Sequence, residues 1–114
     1  MFKIQIISIK QQDTTEFFIS DDDIHNYIDE VYIKSNLILS YNTTISDDNM
    51  KSITVIEFDS EKSWEIFSQD PILVYHNKIK MRYNNYHRIG VSTGIDGTTT
   101  KKNLSIIYND GKLR

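Results

Sequence analysis

The chain has no cysteine and no alanine, and only one proline and four glycines in 114 residues. Without cysteine there is no disulfide framework, no thiol nucleophile and no cysteine zinc site. Long apolar runs are also missing. Phe2–Ile9 is too short, and too interrupted by Lys3, Gln5 and Ser8, for a signal-peptide core, and nothing approaches a membrane span. A cytoplasmic location with no membrane partner is therefore expected. Charge of one sign is scarce: the formal net charge is −3, and the longest like-charged run is Asp21–Asp23. That balance gives no electrostatic footprint for nucleic acid. In place of the missing residues the chain is crowded with Ile, Asn, Lys and Tyr, the composition of an AT-rich genome such as those of phages and some marine bacteria.

The informative stretch is Ile53–Ile89. Ile53 and Val55 share one parity and Ile56 and Phe58 the other, which predicts a central strand covered on both faces. Asp59 and Ser60 then supply N-cap oxygens ahead of Glu61, so a helix starts there, with Trp64 and Phe67 on one face. Asp70-Pro71 interrupts it, because the residue before proline leaves the helical region. Asp70 caps a second helix with Pro71 at its first position, and Gly90 is read as its C-cap. On that helix Ile72, Tyr75, Ile79, Tyr83 and Tyr86 form one stripe, expected to pack against a sheet.

The remaining elements follow the same logic. Phe2–Ile9 reads as a strand with apolar residues at both parities, and Lys10–Ile19 as a loop whose apolar end, Phe17-Phe18-Ile19, folds back over the core. Ser20 is expected to cap a helix with Asp23 completing a capping box, and Ile24, Tyr27, Ile28 and Val31 form its buried stripe. Asp21–Asp23 diverge by about 100° per residue and converge poorly on one ion, so they are read as helix-start chemistry and no metal site is assigned. After a loop at Asn36, Leu37–Ile45 and Ile53–Phe58 are joined as a hairpin by the Ser46–Asn49 turn. A last strand is expected at Leu104–Tyr108, closed by Asn109-Asp110-Gly111. The order βαββαβ builds a ferredoxin-like α+β fold, an antiparallel sheet with both helices on one face. Residues 1–92 form this domain, and residues 93–114 are its loop and edge strand or an extension reaching across a dimer. Because the helices leave one sheet face bare, a homodimer formed through that face is expected.

The segment FDSEKSWEIFSQDPILVYHNKI, about a fifth of the chain, resembles the strand–helix–Asp-Pro–helix segment of the dimeric α+β barrel superfamily, especially its antibiotic-biosynthesis-monooxygenase-like members. The resemblance implies two sheets closing on each other and a small hydrophobic ligand held between sheet and helices. Some of these families degrade haem, using a helical histidine shortly after the same acidic break, which His76 matches. Where those enzymes carry a tryptophan just before the break, this chain has Ile66 or Phe67, with Trp64 a turn earlier. The candidate ligand-binding residues are accordingly His76, Trp64, Tyr75 and Phe67, with haem as the cofactor the resemblance allows.

Other chemistry is thin. Glu57 and Asp59 share a strand face but are read as a strand end at the rim of the sheet. His76 and His87 lie roughly 16 Å apart along one helix, too far for one metal. Lys51–Phe58 is similar to the RNA-recognition motif, yet Ser52 replaces its glycine and Ile53 and Val55 occupy its base-stacking positions. Three functional classes follow. With no complete catalytic set, a non-enzymatic homodimeric binding or accessory protein comes first, and no catalytic residue is assigned. The alternatives are a monooxygenase-like enzyme acting on a small hydrophobic molecule or haem, and a degenerate RNA-recognition module.

Overall fold

The computed structural model describes residues 2–96 and 101–107. The elements are β1 (Phe2–Ile9), α1 (Asp22–Ile28) running on into a π-helical turn (Asp29–Ile33), β2 (Ile38–Ile45), β3 (Lys51–Phe58), α2 (Glu61–Gln69), α3 (Pro71–Tyr86), β4 (Gly90–Asp96) and β5 (Lys101–Ile107). The strands form one antiparallel sheet in the order β2-β3-β1-β4-β5. Its first four strands have the ferredoxin-like arrangement expected from the sequence, with β5 added outside β4.

The fourth strand is not where the pattern placed it. Gly90–Asp96, expected to be a C-cap followed by loop, pairs with β1 as the fourth strand; the expected C-terminal edge strand overlaps β5, a fifth strand at the sheet edge. The helix ends at Tyr86, and Arg88, not the expected C-cap Gly90, makes the left-handed turn at φ 58°. Tyr108 and the Asn109-Asp110-Gly111 turn lie outside the described residues. The boundary drawn after residue 92 falls inside β4, so this strand belongs to both of the expected parts.

Register fixes which side chains face the helices. Ile4 lies opposite Ile56 and Ile95, and Phe2 opposite Phe58, so these residues share one face of the sheet. There Ile4, Ile38, Ile56 and Phe58 meet Ile28, Tyr32 and Leu73 from the helices. Full burial of such a side chain stabilises the fold by about 1.5–3 kcal/mol. Phe58 packs edge-on against Trp64 and Phe67, with ring centroids 5.7 and 5.4 Å apart, so α2 is held by the aromatic pair its spacing predicted.

Two local irregularities shift side chains relative to the expected periodicity. The helix begins at Asp22 with Asp21, not Ser20, as cap, its Oδ1 accepting the Ile24 amide at 3.0 Å. It then widens into π-type turns, in which Lys34 N–H reaches back to Asp29 O and Leu37 N–H to Tyr32 O. One extra residue per turn moves the buried position from Val31, which is exposed, to Tyr32. In β2 a bulge between Ile38 and Ser40 likewise puts Ile38 and Tyr41 on the same face and turns Leu39 outward. The chain has no glycine before residue 90, so the left-handed positions at residues 36 and 49 fall to asparagine, with φ 64° and 61°.

Asp70 behaves as its sequence context predicted and does one thing more. Oδ1 accepts the Ile72 amide at 2.9 Å, capping α3, while Oδ2 accepts both the Tyr27 and the Tyr32 hydroxyls at 2.6 Å each. The break between α2 and α3 is thereby fastened to the first helix. Among the described residues no helix is long and apolar enough to cross a membrane.

Candidate functional site

The expected orientation of α3 is reversed. Ile72, Tyr75, Ile79 and Tyr86, four of the five residues of its apolar stripe, are exposed, Tyr86 by 83%. Leu73 and Asn84 are buried instead, so the inward stripe runs Leu73, His76 and Asn77, Lys80, Asn84 at helical spacing. Adjacent residues on a helix differ by about 100°, and Leu73, not Ile72, enters the core. A largely polar helix face is therefore turned toward an apolar sheet.

The two surfaces do not close on each other. Between them lies a cavity of about 430 Å³. Its floor is the sheet, with Ile6, Ile56, Tyr41 and Thr93; Trp64 and Phe67 of α2 and Ile24 and Ile28 of α1 form apolar walls. The polar side is α3. Three of the four residues singled out from the sequence, His76, Trp64 and Phe67, meet here. Tyr75 does not: it is 69% exposed on the opposite side of α3, because the stripe that contained it faces outward.

Lys80 was not anticipated. It lies on the cavity wall, and among the described residues its ammonium has neither a carboxylate nor a hydrogen-bond partner. Loss of hydration holds its pKa below the ordinary lysine value. His76 is also lowered, chiefly by burial and then by the charge of Lys80, against an opposing pull from Asp21. His25 of α1 lines the same cavity, so two histidines from different helices border it. His87 does not line the cavity; its ring lies tilted against Tyr83, with centroids 4.2 Å apart, at the end of α3. No group of His, Asp and Glu able to hold a metal occurs among the described residues.

A strap formed by residues 10–21 covers this side. At its start Lys10, only 2% exposed, donates to the carbonyls of Thr15 and Asp13 and lies 4.4 Å from the Phe17 ring centre. Farther on, Phe18 packs between His76 and Tyr83, the Tyr83 hydroxyl donates to Glu16 O, and Ser20 Oγ lies 3.0 Å from His76 Nε2. Phe18 thus folds back over the helical layer and Phe17 over Lys10, whereas Ile19, expected to join them over the core, is 78% exposed. The signal that could have revealed Lys80 is the polar series at positions 73–84, which an argument that always turns the apolar stripe inward discards.

The same contacts test a haem reading. An axial ligand must present a bare imidazole nitrogen to open space. His76 Nε2 is engaged by Ser20 beneath the strap, so the residues present do not fit haem ligation in this arrangement. On the opposite sheet face Ile7 lies opposite Ile53 and Gln5 opposite Val55; β1 and β3 carry no aromatic ring there on which a base could stack. Glu57 is on that face, accepting from Ser40, while the Asp59 carboxylate is bonded to the Ser63 hydroxyl, so the two carboxylates do not form a pair. Comparison with family models, with curated proteins and with solved structures finds no match to this chain.

Proposed function

We propose that this chain is a non-enzymatic binding protein for a small hydrophobic molecule held between the sheet and the helices. The observation that carries the reading is the cavity itself: about 430 Å³ bounded by Ile6, Ile56, Trp64 and Phe67, with a few polar groups, most of them from α3. Specific small-molecule sites have this mixture of mostly apolar surface and sparse, placed polar atoms. It is also the location that the dimeric α+β barrel resemblance implies for a ligand. Thermal unfolding against a panel of apolar small molecules tests it, since a ligand that binds only the folded chain raises Tm with concentration. Thr93→Phe, which fills the cavity from the floor, should abolish that rise. A panel in which no member shifts Tm would sink the reading.

A second copy of the chain is proposed to cover the open sheet face. Supporting this, Ile7, Ile53 and Val55 are half-buried and Ile9 is 52% exposed in one patch across β1 and β3. Beside them Gly90 and Gly94 of β4 lie opposite Ile9 and Gln5, and lacking side chains they let another surface approach. Light scattering should give twice the chain mass, and Ile53→Asp should return it to the monomer. A native chain that scatters as a monomer would refute this part.

A further inference from the structure

The cavity's charge is at odds with the charge of the chain. The sequence carries 16 acidic and 13 basic residues, yet the cavity lining includes Lys78, Lys80, His25 and His76 and no aspartate or glutamate. An acidic protein has placed two lysines and no carboxylate where its surface is concave. Lys80 is the clearest member. Its ammonium lies on the cavity wall, partly withdrawn from bulk water and unpaired among the described residues, a situation that costs free energy unless something answers the charge. Asn84, 3% exposed and one turn beyond, also shows no side-chain hydrogen bond among the described residues, and offers an amide donor on the same wall. Opposite these groups the surface is hydrocarbon and aromatic.

Resting on the reading of this cavity as a ligand site, we infer that its ligand is an amphipathic organic acid. The carboxylate pairs with Lys80 and accepts from Asn84, and the apolar body lies against Ile6, Ile56, Trp64 and Phe67. The polarity of the site sets the ligand's orientation: head toward α3, tail toward the sheet and α2. A neutral molecule of the same shape fills the same volume but leaves the ammonium unanswered, and a cationic one meets two lysines. A charge-assisted hydrogen bond formed out of water discriminates against such analogues by about tenfold or more.

The chain has one tryptophan, and it lines the cavity, so intrinsic fluorescence reports occupancy directly. The experiment titrates the full chain with straight-chain acids from hexanoate to dodecanoate, and with the matching alcohols and amines, at neutral pH and below their micelle concentrations. The expected result is a saturable change for the acids, with the alcohols about tenfold weaker and the amines weaker still. Lys80→Met, which keeps the length of the stem, should remove the advantage of acid over alcohol by weakening the acids; Lys80→Gln gives an independent second variant. Alcohols that bind as tightly as acids, or an advantage that survives both substitutions, would overturn the inference while leaving the cavity a binding site. If no member of any series gives a saturable change, the binding-site reading falls, and this inference with it.

Discussion

Asp70 joins the first helix, the α2–α3 break and the cap of α3 through two oxygens, and its replacement by alanine tests how much of the fold passes through that point. The variant leaves the Tyr32 hydroxyl without its acceptor in a residue only 2% exposed. An unpaired buried hydroxyl costs about 1–3 kcal/mol, and the lost N-cap about 1 kcal/mol more. Tyr27 is half-exposed and regains water, so it adds little. The carboxylate itself is also only half-buried, which favours the lower end, and the expected loss is about 2–3 kcal/mol. For a domain of this size that is a fall in Tm of roughly 8–15 °C.

Asp70→Asn is the informative companion. With one carbonyl oxygen it can serve the tyrosines or the Ile72 amide but not both, so it should lose about half as much. Acid titration supplies a third reading. Burial pushes the Asp70 carboxyl up, but hydrogen bonds from Tyr27, Tyr32 and the Ile72 and Leu73 amides outweigh it and hold the pKa below its ordinary value. The unfolded chain therefore takes the proton first. This contribution is complete above the unfolded carboxylate range, near about pH 4, and is lost as pH falls through the folded value. Urea melts of wild type and Asp70→Ala should accordingly converge in acid. A difference below about 1 kcal/mol at neutral pH, or one that does not shrink in acid, would refute the reasoning.

The π-type turns predict an inverted pair of substitutions: Tyr32→Ala should cost about 3–5 kcal/mol and Val31→Ala close to nothing in the same urea melts, whereas regular helical periodicity requires Val31 to be the costly one. His76 is held below its ordinary pKa by burial first and by Lys80 second, so between its folded value and about 6.5 the unfolded chain binds more protons and stability rises with pH. Removing the ring that covers it, in Phe18→Ala, should move the His76 titration upward by NMR and hasten proteolysis within residues 11–19; an unchanged titration would show that the strap does not shield it. Asn36→Gly should be tolerated and Asn36→Ala should cost roughly 1 kcal/mol in thermal melts, because the left-handed backbone there penalises a Cβ that has no local hydrogen bond to offer.

Strands β1, β2 and β3, the Ser60 and Asp70 caps and the Asp-Pro break were legible in the sequence because each rests on neighbouring residues. Strand β4 was not: GVSTGID has two glycines and only Val91 and Ile95 as large apolar residues, and its pairing with β1 is a long-range contact that leaves little local trace. The shift from Val31 to Tyr32 and the bulge at Leu39 were hidden for a related reason, since a single inserted residue changes every later face while the local pattern stays the same. The site was half legible. Trp64, Phe67 and His76 were found from the Asp-Pro segment, while Tyr75 was placed on the wrong side and Lys80 passed over, both through the assumption that the apolar stripe of α3 must face the sheet.

That orientation has a thermodynamic consequence. A rotation of α3 about its own axis that pressed Ile72, Tyr75 and Ile79 onto the sheet would bury more hydrocarbon; the native one sends them to solvent and keeps a cavity open. Local preference and tertiary structure disagree along this helix, and the strap, the Asp70 cap and Leu73 decide between them. Anything that fills the cavity adds its binding free energy to one rotation only, by mass action. A molecule bound there would then become part of what specifies the fold.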